Sequence, residues 1–191
     1  MTDDASNPRA ALIVADMQQG VVQRVGDHAA ELLGRLADAI DAARAAGVPV
    51  VYVVVGFRPG HPEVSPRNKM FAPIAEAGGF ADGSDGVRIH PTVAPRDGDV
   101  VVVKRRVSAF SGSDLDMVLR SRGIQRLVLT GVATSGVILS TVRQASDLDY
   151  ELVVLSDAVR DGDDEVHRVL LEKVFPRQAD VLTVAEWADS L

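Results

Sequence analysis

Three apolar runs in this chain each end on a residue or turn that could do chemistry. Residues 10–15 (AALIVA) end at Asp16, residues 100–103 run into Lys104, and residues 127–130 hand over to a small-residue turn, GVATSGV, at 131–137. Continuous apolar runs of this length read as strands buried on both faces of a parallel sheet. Such sheets bind ligands at the carboxyl ends of their strands. A carboxylate leaving an all-apolar strand is partly desolvated, which raises its pKa and suits acid–base work, and a nearby ammonium opposes that shift. The turn opens a second apolar segment with helical spacing, and Thr134 or Ser135 is placed to cap that helix. The N–H groups of Val132, Ala133, Thr134, Ser135 and Gly136 then face the space above the sheet, where an oxyanion or a nucleophile could be held. Val137 stands where a reactive side chain would be most useful. Strand-end Asp and Lys residues also serve as turn formers and edge charges, so position alone leaves Asp16 and Lys104 open.

These groups need a frame. A helix is expected over residues 26–47, with Leu32, Leu33, Leu36, Ile40 and Ala43 on one face and Gly47 closing it. A second strand follows at 48–55. Residues 56–86 form a Gly- and Pro-rich connection of unusual length, with a short helix over 71–77. Connections this long are commonly functional. Helices are expected at 113–122, capped by Ser113 with Asp116 at the capping-box position, at 135–148 and at 163–174. Further strands are expected at 151–155 and 179–183. Strands alternating with helices make βαβ units and a parallel sheet covered on both faces. Residues 1–9 read as a flexible tail, and 10–191 as a single domain.

Composition narrows the classes. The chain has 191 residues, 47% of them hydrophobic and only 4% aromatic, so its core must be aliphatic. A formal charge of −7 argues against a nucleic-acid or anionic-membrane partner. No apolar run reaches membrane-spanning length, and MTDDASNPRA is polar and acidic rather than signal-like, so a cytoplasmic protein is expected. There is no cysteine, hence no disulfide, thiolate metal site or cysteine nucleophile.

The segments ALIVADMQQG (11–20), VVVKRRVSAFSGSDL (101–115) and LVLTGVATSGVILSTVRQASDLDYELVVLSDAVRD (127–161) together resemble the isochorismatase-like hydrolase superfamily. The resemblance implies a three-layer α/β/α sandwich around a six-stranded parallel sheet. It implies a catalytic Asp at Asp16, a supporting Lys at Lys104, and a cis peptide in the turn, here Val132–Ala133. It also places the family's cysteine nucleophile at Val137. Valine cannot be deprotonated, attack or donate a hydrogen bond, so covalent catalysis by that route is excluded.

Three readings remain. In the first, the protein is a non-covalent hydrolase of a small metabolite, in the manner of isochorismatases: Asp16 protonates a vinyl ether carbon, Lys104 positions and tunes it, and water adds to the oxocarbenium ion. In the second, a hydroxyl of Thr134, Ser135 or Ser140 replaces the thiol, although none is in register. In the third, the fold binds a small molecule or a partner without turnover.

Other candidates are weaker. Gln18 is expected to hydrogen-bond a ligand, and Phe57 and Arg58 to lie in the long connection over the site, Arg58 either pairing with a substrate carboxylate or standing as a solvated loop arginine, the second slightly favoured. Phe110 is expected to line the pocket or to be an ordinary core aromatic. Asp157 is expected to end the fifth strand as a turn former. The Asp161–Asp164 region reads as a helix start. His28, His90 and His167 read as surface histidines, and no metal or cofactor is expected. The resemblance implies a homo-oligomer, with the 135–148 helix as a candidate interface element.

Overall fold

The computed structural model describes residues 9–191, so the predicted tail, apart from Arg9, lies outside the described residues. In chain order the elements are β1 (Ala10–Ala15), α1 (Gln19–Val22), α2 (Ala29–Ala45), β2 (Val50–Val55), α3 (Ala72–Glu76), β3 (Val100–Lys104), α4 (Leu115–Ser121), β4 (Arg126–Val132), α5 (Leu139–Asp147), β5 (Glu151–Arg160), α6 (Asp164–Val169), β6 (Asp180–Leu182) and α7 (Val184–Ala188).

The six strands form one parallel sheet in the order β3-β2-β1-β4-β5-β6. Chain progression runs outward in one direction from β1 to β3 and in the other from β4 to β6. The reversal therefore lies between β1 and β4, which opens a crevice at their carboxyl ends.

Alternation along the strands builds a core on each face. Leu12, Val14, Val128 and Val153 pack with Leu32, Leu36, Ile40 and Ala43 of α2 and Trp187 of α7. Ile13, Ala15, Leu127, Leu129 and Val154 pack on the other face with Leu115 and Leu119 of α4 and Val142 and Ala145 of α5. Both faces are thus apolar, which is why β1, β2 and β4 read as unbroken hydrophobic runs.

The close approach of β1 and β4 depends on Gly131, which pairs with Ala15. Its φ is +114°, and a Cβ there would lie 1.9 Å from the Ala15 carbonyl oxygen. Only glycine fits.

Two local expectations change. β5 continues past Leu155 to Arg160, so Asp157 lies inside a strand; its carboxylate accepts the Val184 N–H at 2.8 Å and sets the start of α7. Asp116 forms no capping box and instead pairs with Arg120 one turn along α4. The 56–86 connection carries a small core of its own, in which Val55, Phe57 and Phe71 pack with Val64, Ile74 and Phe80.

Candidate functional site

β1 ends by turning sharply. Asp16 keeps its N–H in the ladder, donating to the Val53 carbonyl at 2.8 Å, while its own φ of +52° swings the chain out of the sheet. Lys104 is the last residue of β3, in register with Val55 of β2. Neighbouring strands lie about 4.8 Å apart, so the Lys104 side chain reaches across the end of β2 toward β1. Its Nζ stands 3.0 Å from Asp16 Oδ2 and also donates to the Arg106 carbonyl at 3.0 Å.

Both side chains are buried, at 10% and 3% exposure. Burial pushes the Asp16 carboxyl above the ordinary value of 3.8, against the opposing charge and hydrogen bond of Lys104. The two carboxyl oxygens differ. Oδ2 faces the ammonium, whereas Oδ1 is buried with no hydrogen-bond partner. A neutral carboxylic acid with an uncommitted oxygen can give a proton to a substrate atom.

The turn after β4 begins beside Asp16, since Gly131 is the register partner of Ala15. The Val132–Ala133 peptide is cis. Helix entry is through a wide turn over Thr134–Ile138 that begins at Ala133 without a side-chain cap, which corrects the expected capping by Thr134 or Ser135. The Thr134 hydroxyl instead lies 2.8 Å from His167 Nδ1 of α6. The Ser135 N–H donates to Asp161 Oδ2 at 2.7 Å, and the N–H groups of Gly136 and Ile138 donate to the Ala133 carbonyl. At least three N–H groups of this stretch are therefore spent within the fold rather than offered to an oxyanion. Val137 is 2% exposed and belongs to the apolar core.

Asp161 and His167 carried no usable local signal. Asp161 is buried; burial works to raise its carboxyl, yet hydrogen bonds from Ser135 and from the N–H groups of Gly162 and Asp163 outweigh that and lower it. His167 is half-buried rather than a surface histidine, and burial together with the Arg160 charge lowers its pKa. Both partners lie in the β4 turn, 26 and 33 residues earlier.

The other candidates are buried or already paired. Gln18 is fully buried, and its amide is committed to the backbone of Val55 and Val87. Phe57 is fully buried against Phe71 in the small core of the long connection. The Arg58 guanidinium is 64% exposed and pairs with Glu63 at 2.6 Å. Phe110 is buried beside Tyr150 as a core aromatic. Among the described residues no three or more His, Asp or Glu side chains gather as a metal-ligand set, and no helix is long and apolar enough to cross a membrane.

An acid–lysine pair at the switch point, opposite a turn built on Gly131, is a specific arrangement. Residues 10–186 match the family model for the isochorismatase domain. This chain belongs to the isochorismatase family. An isochorismatase family protein of Bacillus subtilis is 31% identical over 183 residues, covering 96% of this chain and 94% of the relative. A ureidoacrylate amidohydrolase of Variovorax paradoxus is 37% identical over 173 residues, covering 80% and 69%. Among solved structures, a cysteine hydrolase from Pseudomonas syringae pv. phaseolicola superposes with a TM-score of 0.87 at 26% identity, over 95% of this chain and 91% of that one. The isochorismatase-family hydrolase fold, with its six-stranded parallel sheet, accounts for the architecture as a whole.

Proposed function

We propose that this chain, acting as a single domain over residues 10–191, hydrolyses a small organic molecule by proton transfer from Asp16, with no covalent bond to the protein. The observation that carries this reading is the asymmetry of the Asp16 carboxyl. One oxygen is held by Lys104, the other is buried and unpartnered, and burial raises the pKa.

Burial and Lys104 act in opposite directions, and an acid catalyst needs both. Burial favours the protonated form of Asp16. Once the proton leaves, the Lys104 ammonium stabilises the new carboxylate, which lowers the barrier to giving it up. With a vinyl ether, Asp16 protonates the terminal alkene carbon and leaves an oxocarbenium ion. Water adds to the cationic carbon, and the resulting hemiacetal or hemiketal collapses to a carbonyl compound and an alcohol. The proton that water releases returns to Asp16, so one water is consumed and the acid is regenerated. No step calls for a nucleophile at Val137 or for a tetrahedral oxyanion beside the β4 turn.

A second reading rests on the amidohydrolase relative: the scissile bond is C–N, as in a ureide, with Asp16 and Lys104 activating water. Both readings take the protein to be cytoplasmic and homo-oligomeric. A panel of vinyl ethers, ureides and simple amides, assayed with wild type and Asp16→Asn, tests the proposal. Vinyl ether turnover that disappears in Asp16→Asn supports it. Ureide turnover alone moves the assignment to the second reading. No Asp16-dependent loss of any substrate, with binding still detectable by thermal shift, points to a silent binding protein.

A further inference from the structure

Glutamine amides are ordinarily left in water, yet Gln18 has no exposed surface. Its Nε2 donates to the Val55 carbonyl at 2.8 Å and to the Val87 carbonyl at 3.0 Å, and its Oε1 accepts the Val55 N–H at 2.9 Å. Both amide hydrogens and the carbonyl are thus used, all on backbone. Those backbone groups sit at the two ends of one segment. Val55 is the last residue of β2, and Val87 follows the 56–86 connection. Main-chain bonds reinforce the junction, from the Gln19 N–H to the Arg88 carbonyl and from the His90 N–H to the Met17 carbonyl, each at 2.8 Å.

The same bonds reach the acid–lysine pair from both sides. The β1–β2 ladder stops where Asp16 turns out of the sheet, and two residues later the Gln18 amide takes up the pairing with β2 at Val55. Val55 is also the register partner of Lys104 in β3. Asp16 is therefore tied to Val55 through Gln18, and Val55 to Lys104 through the sheet. A buried amide that satisfies three backbone groups is costly to remove, because its partners would be left unpaired.

We propose that Gln18 is a positioning residue: its amide holds the Asp16 carboxyl in register with the Lys104 ammonium and closes the base of the 56–86 connection, so that acid, cation and connection form one unit. This deepens the proton-transfer reading, but it concerns the geometry of the pair and can be tested without a substrate.

The test is a titration cycle. The Asp16 carboxyl is followed by carbon NMR in the full chain, in wild type, Lys104→Met, Gln18→Met and the double variant. Lys104→Met removes the charge that pulls the Asp16 pKa down, so the pKa rises. In the Gln18→Met background that rise shrinks to about half or less, because the two groups no longer hold their register. Amide exchange over residues 57–86 accelerates about tenfold or more in the same variant. Gln18→Asn, which keeps an amide but is one methylene too short to span both carbonyls, shows the same loss and serves if Gln18→Met does not fold. An equal rise with and without Gln18 overturns the proposal. Loss of coupling in a protein that turns over nothing would leave this inference standing while the functional reading fails.

Discussion

Lys104 Nζ lies 3.0 Å from Asp16 Oδ2, and the other Asp16 oxygen is buried with no hydrogen-bond partner of its own. That pairing spans three strands, since β2 lies between the two residues in the sheet. It puts a buried acid and a buried cation at the point where strand order reverses, and the predictions concerning chemistry follow from it.

Lys104→Met separates the two opposing influences on Asp16. Without the cation the carboxyl pKa rises further. Turnover through a neutral acid is lost as pH climbs through that pKa, so the alkaline limb of the rate profile moves to higher pH. The plateau rate falls by about tenfold or more, because the departing proton leaves an unstabilised carboxylate. A pH–rate profile of the variant checks both effects. A limb that stays in place or moves to lower pH contradicts the assignment.

Asp161 makes a stability prediction of the opposite sign. Its folded pKa lies below the ordinary 3.8, so its contribution is fully present above that value and is lost as pH falls through the folded pKa. Asp161→Asn should therefore destabilise the protein at neutral pH and flatten the acid limb of the stability curve below about pH 4. Thermal melts from pH 2 to 7 measure it. An unchanged acid limb would mean that the Ser135 N–H does not depend on this carboxylate.

Much of the architecture is readable in the sequence, for a physical reason: strands covered on both faces are apolar in their buried stretches, as β1, β2 and the Leu127–Leu129 run of β4 are. β5 looks shorter in the sequence than it is, because Ser156 and Asp157 interrupt its apolar run. The Ser156 hydroxyl donates to the Leu182 carbonyl, and the Asp157 carboxylate accepts the Val184 N–H, so both polar groups are satisfied by residues 26 and 27 positions later. Asp16 and Lys104 were visible because strand ends are where side chains leave the core. Gln18 was visible too, as a polar residue beside Asp16, but its role was not. Its partners lie 37 and 69 residues away, and no local pattern distinguishes an amide meant for a ligand from one meant for backbone. The Arg58 pairing is hidden in the same way, because Glu63 meets it only once the long connection folds.

Gly131→Ala tests the crevice itself. The added Cβ would overlap the Ala15 carbonyl oxygen, and the φ of +114° disfavours any side chain. The expected cost is more than about 3 kcal/mol, read from urea denaturation. A loss below about 1 kcal/mol would mean that β1 and β4 separate easily and do not set the geometry of the site.

Arg58→Ala distinguishes a substrate contact from a surface pair. The guanidinium is mostly exposed and engaged with Glu63, so its removal should change stability by no more than about 1 kcal/mol and leave KM within about twofold. A tenfold rise in KM would return Arg58 to the site.

The central claim is that burial, against the Lys104 charge, poises Asp16 to donate a proton, and the most direct measurement is the titration of its carboxyl carbon in the wild-type protein. The account predicts a midpoint clearly above the ordinary 3.8, rising further when Lys104 is replaced. A midpoint at or below 3.8 would make Asp16 an ordinary salt-bridged carboxylate and contradict proton donation as the basis of catalysis.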